Sequence, residues 1–293
     1  MLVLFATLAE TRSVTQAAQK LALSQPAVSH ALTRLRQLLD DPLFIRGRRG
    51  FVLTPRAEAL VVPVGEVLKR IEQILAAPRF EPATSPRLFR LSISDYTMAT
   101  VLPQVVRLLR SQAPQVRLAL SGPTSQLLSQ LENGELDLTF WGLAPPPAAP
   151  FRCMELFREH FVGVAHKRHP LIKAARVSLA DYLRFPHIEV DFLKTENSLI
   201  DIALARQGLK RDILMHTPSF IGNLAAMPDT DLLMAVPSRF TRHFADLLAL
   251  YDLQVFELPI PREDYSYAIV WHQRSDDDPA LIWLREVISG CCR

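Results

Sequence analysis

The 293-residue chain is 49% hydrophobic and 22% charged, which is apolar enough for folded domains and excludes a disordered polyelectrolyte. Lysine and arginine number 33 against 30 acidic residues, but residues 1–90 hold 13 against 7, leaving residues 91–293 with 20 against 23. A basic front on a mildly acidic remainder fits a nucleic-acid module joined to something else.

The chain starts inside an apolar helical run, Met1 to Leu8, and residues 13–36 read as two short helices joined by a tight turn. The first, near 15–21, offers Ala17 and Ala18 as small contact residues, with Leu21 and Leu23 closing the joint. In the second, Val28, Ala31, Leu32, Leu35 and Leu39 form one stripe at helical spacing, and Ser29, His30, Thr33, Arg34 and Gln37 share the opposite face. Ser24 is placed to cap this helix, and Pro26 falls in its first turn, where a missing N–H costs little. In a helix-turn-helix the second helix lies in the major groove with its N-terminal side chains against base edges. The candidate DNA contacts are therefore Thr15, Ser24, Gln25, Pro26, Ser29, His30, Thr33 and Arg34, with Gln25 suited to adenine. Such a helix pair also occurs as ordinary packing, but the next segment weighs against that reading. Residues 41–56 alternate short β-prone runs around Gly47 and Gly50, the pattern of a small hairpin or wing. Its tip carries Arg46, Arg48 and Arg49, charges that would sit over phosphates and add sequence-independent, salt-sensitive affinity.

Together, Ala17-Ala18, Leu21, Leu23-Ser24-Gln25-Pro26-Ala27-Val28-Ser29, Leu35, Pro42-Leu43-Phe44-Ile45-Arg46 and Leu53-Thr54-Pro55-Arg56-Ala57 resemble the N-terminal domain of LysR-type transcriptional regulators. The segment 41–46 ahead of Leu53-Thr54-Pro55-Arg56 is more similar to the branch that includes nodulation and aromatic-catabolism regulators. Members of the family usually carry several more residues before the first helix, so a short first helix or a truncated start is expected.

Thr54 as N-cap and Pro55 at the first helical position open a long helix through about residue 76, with an apolar seam of Leu60, Val64, Val67, Leu68, Ile71 and Leu75. A seam on an extended helix predicts a dimer contact, since leaving it in water is costly; Pro63 predicts a bend or an irregular early turn. The resemblance implies the same role, a linker helix that pairs two chains antiparallel and spaces two DNA-binding domains. Residues 77–86, with three prolines, read as a linker.

Beyond it, strands are expected at 88–94, 116–120 and 136–141, with helices at 102–109 and 126–131. A second run has strands at 186–190, 212–215, 232–236 and 255–258 and helices at 199–207, 220–227 and 240–248, before a strand at 266–272 and a helix at 279–288. Repeated strand and helix segments predict α/β sheets with mostly parallel strands. The resemblance implies an effector domain similar to periplasmic binding proteins, with 160–166 and 265–272 as the crossings between its subdomains. The expected fold class is thus α/β: an N-terminal winged helix-turn-helix plus long linker helix, followed by a two-subdomain periplasmic-binding-protein-like effector domain. The expected domains are 1–57, 58–87 and 88–293, the last divided into 88–160 with 266–293, and 161–265.

Ligands of open α/β sheets bind beyond the carboxyl ends of strands, where loop N–H groups and helix N-termini converge. Four such turns supply candidates: Ser94, Asp95, Tyr96 and Thr97; Gly122, Pro123, Thr124 and Ser125; Ser219 and Phe220; Val236 and Pro237. The hydroxyls and amides of the second turn suit a carboxylate. Hydroxyls in such turns also merely cap helices, but the resemblance implies that the effector sits in the cleft these turns would line. Phe192, Phe220 and Trp141 are candidate apolar walls.

Other chemistry is thin. His160, His166, His169 and Cys153 lack regular ligand spacing, and no phosphate-binding glycine loop, Gly-x-Ser-x-Gly elbow or nucleophile with an obvious base appears. No metal, cofactor or catalytic residue is expected, and the chain is not read as an enzyme. Three cysteines, two adjacent at Cys291 and Cys292, argue against a disulfide framework and for a reducing compartment. No apolar run reaches spanning length and no cleavable leader is visible, so a cytoplasmic protein with no membrane partner is expected. The combined expectation is a bacterial LysR-type regulator that binds an interrupted double-stranded DNA dyad with half-sites in multiples of roughly 10 base pairs. Homodimerisation through the linker helix, assembly to a homotetramer, response to a small organic or aromatic acid, and RNA polymerase as a further partner complete it. The alternatives are a solute-binding or enzymatic α/β protein with an incidental helical front, and an architectural DNA binder indifferent to small molecules.

Overall fold

Two units make up the chain, Met1–Pro78 and Arg79–Arg293, in a computed structural model that describes residues 1–47, 50–75, 79–142, 146–173, 176–192 and 198–292. In the first, α1 (Leu2–Thr11), α2 (Val14–Lys20) and α3 (Gln25–Leu39) precede a hairpin of β1 (Phe44–Gly47) and β2 (Gly50–Leu53), then the long α4 (Pro55–Leu75). Hydroxyls set the helix starts: the Ser13, Ser24 and Thr54 side chains accept from the backbone N–H of Gln16, Ala27 and Ala57 at 3.4, 3.3 and 3.1 Å. Leu4, Phe5 and Leu8 of α1 meet Ala17 and Ala18 of α2, Val28, Leu32 and Leu35 of α3, and Leu43, Phe44, Leu53, Ala57 and Val64 in one core. Leu23 departs from its expected place in the joint. Its N–H bonds the Ala18 carbonyl at 2.9 Å, but Ala22 takes φ 53 and reverses the chain, leaving the Leu23 side chain 49% exposed.

Asp41 joins the two ends of the hairpin, accepting at Oδ1 from the Leu43 N–H and from the Thr54 hydroxyl, both at 2.7 Å. The expected seam on α4 divides. Leu60, Val64 and Leu68 pack on the unit's own core, whereas Val67, Ile71 and Leu75 are exposed where the helix runs past it. The helix continues unbroken through Pro63.

The second unit begins with β3 (Leu88–Ser92), α5 (Asp95–Thr100), α6 (Leu102–Gln112), β4 (Arg117–Ser121), α7 (Leu127–Asn133) and β5 (Leu138–Trp141). Next come β6 (Phe151–Glu159), β7 (Phe161–His166), α8 (Leu179–Tyr182), β8 (His187–Val190), α9 (Leu199–Ala205), β9 (Ile213–Thr217) and α10 (Phe220–Leu224). The last elements are β10 (Leu233–Pro237), α11 (Ser238–His243), α12 (Ala245–Leu250), β11 (Leu253–Phe256), β12 (Tyr265–His272) and α13 (Pro279–Cys291). Two five-stranded sheets result, β4-β3-β5-β12-β6 and β11-β7-β10-β8-β9, and they define two lobes between which the chain crosses at His160 and at 257–264. The largest buried cluster runs through both lobes, from Phe89, Leu138 and Ile269 to Val164, Met234 and Phe240.

The sheets are mixed rather than mostly parallel. β3 runs parallel to β4 and β5, and β8 to β9 and β10, but β12 opposes β5 and β6, and β7 opposes β10 and β11. Parallel neighbours need a crossover connection, and β7 and β12 instead enter directly from the other lobe. Both segments expected as crossings are therefore strands that each lie wholly in one sheet. Three elements had no sequence expectation: α5 and α8 are too short to show a helical period, and Arg152, Glu155, Arg158 and Glu159 mask the alternation of β6. The helix expected at 240–248 is interrupted at Phe244, between α11 and α12. Among the described residues no helix is long and apolar enough to cross a membrane.

Candidate functional site

In the first unit, Val28, Leu32 and Leu35 pin one face of α3 to the core, so the remaining face is turned outward by the helical period. Thr15, Ser24, Gln25, Pro26, Ser29, His30, Thr33 and Arg34 are all exposed. Two of these side chains have local duties: Ser24 caps α3, and the Thr33 hydroxyl donates to the Ser29 carbonyl at 3.0 Å. The side chains of Gln25, Ser29, His30 and Arg34 have no hydrogen-bond or ion-pair partner among the described residues, which leaves them available to a ligand. Arg36, two positions on, is used internally and donates to the Pro42 and Phe44 carbonyls, both at 2.7 Å, holding the hairpin against α3. Arg46 is exposed on β1; Arg48 and Arg49 lie outside the described residues. The described hairpin pairs Gly47 with Gly50.

In the second unit a cavity of about 120 Å³ opens between the lobes, room for a small organic molecule rather than a single water. Its walls are mainly aromatic: Tyr96, Phe140, Trp141, Phe161, Phe192, Phe220, Tyr265 and Tyr267. Of the candidate residues, Ser94, Tyr96, Pro123, Phe220 and Pro237 line it, as do all three expected apolar walls. The others lie outside the lining. Gly122, Thr124 and Ser125 are exposed, and the Thr124 hydroxyl accepts from the Gln126 N–H at 3.3 Å, the local turn role open to such hydroxyls. Val236 is a buried strand residue, and the buried Thr97 hydroxyl bonds the Tyr267 hydroxyl and lies 3.2 Å from that of Ser94. Asp95 and Ser219 meet each other across the lobes at 2.7 Å.

Sequence reasoning missed the polar side of the cavity, formed by Glu189, Asp191 and Ser198. Behind it sits Arg211, whose side chain is 0% exposed. It donates to Glu189, to both Asp201 oxygens at 2.7 and 2.9 Å, and to the Ser198 hydroxyl at 2.9 Å. Burial pushes the Glu189 carboxyl upward, with Arg211 opposing; for Asp201 the same burial is outweighed by Arg211, and its carboxyl falls below the ordinary range. A third carboxylate, Glu159, is 1% exposed at the crossing. It accepts from the Tyr96 hydroxyl at 2.8 Å, from the His160 N–H at 2.9 Å, and from the N–H groups of Ser238 and Arg239 at 3.1 and 3.2 Å. Burial beside Glu159 raises Tyr96 far above its usual range, and burial takes Tyr267 up to about 12, so both phenols are neutral and Tyr96 donates to Glu159.

An exposed helix-turn-helix face and, in a separate unit, a two-lobed domain around an aromatic-lined cavity define a DNA-binding transcription regulator with a ligand-binding domain. The family follows from sequence: residues 1–58 match the bacterial regulatory helix-turn-helix protein, lysR family, and residues 83–291 match the LysR substrate binding domain. The chain belongs to the LysR family of transcriptional regulators. It is 33% identical over 289 residues to the HTH-type transcriptional activator NagR of Ralstonia sp, covering 98% of this chain and 94% of that protein. It is 32% identical over 294 residues to Nodulation protein D 1 of Sinorhizobium fredii, covering 98% and 88%. Among solved structures, a transcriptional regulator from Pseudomonas aeruginosa superposes with a TM-score of 0.65 at 30% identity, over 99% of this chain and 95% of that one. These relatives are regulators, which sets aside the enzymatic alternative.

Proposed function

We propose that the protein reads an interrupted DNA dyad as a homodimer joined through α4, assembled further to a homotetramer, and that a small aromatic molecule in the inter-lobe cavity controls its output. The cavity carries this reading: eight aromatic side chains line a space of ligand size at the junction of two lobes. Exposed Val67, Ile71, Ile74 and Leu75 on α4 support the dimer contact. Gln25 and its neighbours on α3 would read bases, while Arg46, Arg48 and Arg49 would hold phosphates. The domain limits 1–57, 58–87 and 88–293 and contact with RNA polymerase belong to the same proposal. Of the expected effector classes, organic or aromatic acid, the aromatic character has the support of the rings. Ligand binding acts only to the extent that one arrangement of the lobes binds more tightly than another.

The test is operator binding by fluorescence anisotropy with and without a cavity ligand. Phe220→Ala is expected to retain operator affinity in the absence of ligand and to lose the ligand response. An unchanged dose response in this variant removes the cavity from the regulatory site.

A further inference from the structure

We propose that Glu159 is the positioning residue that passes occupancy of the inter-lobe cavity to the second lobe, with Tyr96 as its cavity-side contact and the start of α11 as its output. This rests on the cavity being the effector site. Glu159 ends β6 in the first lobe, one residue before the chain crosses at His160, and is 1% exposed. Its carboxylate serves donors from three places. The His160 N–H at 2.9 Å belongs to the crossing itself. The Ser238 N–H at 3.1 Å, the Ser238 hydroxyl and the Arg239 N–H at 3.2 Å belong to α11 in the second lobe. The Tyr96 hydroxyl at 2.8 Å comes from α5 in the first.

Tyr96 is the donor that a ligand touches. It lines the cavity, and its ring stands edge-on to Tyr267 of the first lobe and Phe220 of the second, with centroids 5.4 and 6.2 Å away. Glu159 lies behind this wall, so a molecule pressed against the Tyr96 ring acts on it through the hydroxyl. A second route reaches the same helix. The Arg239 guanidinium lies 3.9 Å from the centroid of the Phe157 ring, and Phe157 stacks at 5.2 Å on Tyr267, which also lines the cavity. A buried carboxylate holds its donors, since each one lost leaves charge unsatisfied in a low dielectric. The phenol and the two α11 N–H groups therefore keep their places together or shift together. A ligand that fits one of these arrangements better than the other shifts their populations by its difference in affinity, and α11 carries the shift into the second lobe.

The test uses the full chain, an operator selected from random-sequence DNA, and three probes that differ in charge: benzoate, benzyl alcohol and benzylamine. Calorimetry gives probe affinity without DNA, and anisotropy with and without saturating probe gives the coupling, the ratio of the two operator affinities. For the parent, a coupling of roughly five-fold or more is expected with at least one probe. Glu159→Gln keeps the shape of the side chain but puts an amide N–H where an acceptor stood. It is expected to bind that probe within roughly three-fold of the parent and to bring the coupling within roughly two-fold of none. Tyr96→Phe is expected to lose the coupling to the same extent, and the double variant to lose no more than either alone. Tyr96→Phe also carries the test where Glu159→Gln fails to fold. A merely structural role for Glu159 would lower the melting temperature and leave the coupling in place. Coupling retained in Tyr96→Phe or in folded Glu159→Gln, or a folded Glu159→Gln that no longer binds the probe, overturns the relay and leaves the cavity reading intact. Failure of all three probes to bind the parent, or to change its operator affinity, overturns the cavity reading and the relay with it.

Discussion

Asp95, the first residue of α5 in one lobe, accepts a 2.7 Å hydrogen bond from the Ser219 hydroxyl, which caps α10 in the other. The same oxygen takes the Ile221 N–H at 2.8 Å, while Ser219 Oγ accepts the Gly222 N–H at 2.8 Å. One carboxylate therefore completes a helix start and ties the lobes beside the cavity. Asp95→Ala removes two charge-assisted hydrogen bonds and exposes donors at α10, for an expected loss of about 2 kcal/mol in urea unfolding. A variant as stable as the parent would show that water replaces the contact at no cost.

Arg211 is the costlier residue to remove. Arg211→Met strands Glu189 and Asp201 in the interior with no cation between them, and breaking one side of a buried ion-pair cluster typically costs about 3–5 kcal/mol. The midpoint in denaturant should fall accordingly, and ligand binding should weaken because Glu189 and Ser198 lose their common anchor. A near-neutral substitution would mean that the two carboxylates take up protons at little cost when Arg211 is gone.

The helix-turn-helix was legible because its signals are local: Ser24, Pro26 and the Val28, Leu32, Leu35 spacing lie within one helix and its cap. The strand-end turns were legible for the same reason, and five of the twelve residues they supplied line the cavity. The rest were not, because a hydroxyl at a turn looks identical whether it faces a ligand or caps its own helix, as Thr124 and Ser219 illustrate. The polar wall was invisible for another reason. Arg211 reaches Glu189 from 22 residues away, and Asp95 meets Ser219 across 124, distances over which periodicity carries no information. Tyr267 reads as part of the strand at 266–272 and Tyr265 as the start of an expected crossing, and only the packing of the second lobe opposite β12 turns them into a wall.

His187 gives the chain an acid limb. Its ring is buried against Tyr182, Nε2 bonds the Tyr182 carbonyl at 3.1 Å, Nδ1 is unpartnered, and burial with nearby Arg211 lowers its pKa to about 4 from 6.5. The folded value lies below the unfolded one, so the neutral ring's contribution is complete above pH 6.5 and is lost as pH falls toward about 4. Between about pH 6.5 and 5 the loss should approach 2 kcal/mol, at close to 1.4 kcal/mol per pH unit. His169, lowered chiefly by burial, adds in the same direction. His187→Gln should flatten the measured stability profile in this window, and an unchanged slope would assign the limb elsewhere.

On the DNA side, base reading and phosphate holding separate by their response to sequence and salt. Gln25→Ala should weaken operator binding by about 1–3 kcal/mol and leave random DNA nearly untouched. Arg46→Ala should weaken both alike and reduce the slope of log affinity against log salt by about one. Equal losses on both DNAs for Gln25→Ala would remove its base-reading role.

Gly50 links the hairpin to the helix that supports it. The residue sits at φ +112, and a Cβ there would lie 2.9 Å from the Arg12 carbonyl oxygen, which already accepts the Phe51 N–H at 2.9 Å. Arg12 itself ends α1 at φ 52, so neither backbone has a relaxed position to retreat to. Gly50→Ala should therefore cost about 1–3 kcal/mol in the first unit, from strain and loss of the Phe51 bond. Because β1 carries the exposed Arg46, displacing the hairpin should weaken binding to operator and random DNA together, unlike Gln25→Ala. Anisotropy on both DNAs, run beside thermal unfolding, separates the effects: a stability loss with selective damage to operator binding would mean that the hairpin reads bases rather than phosphates.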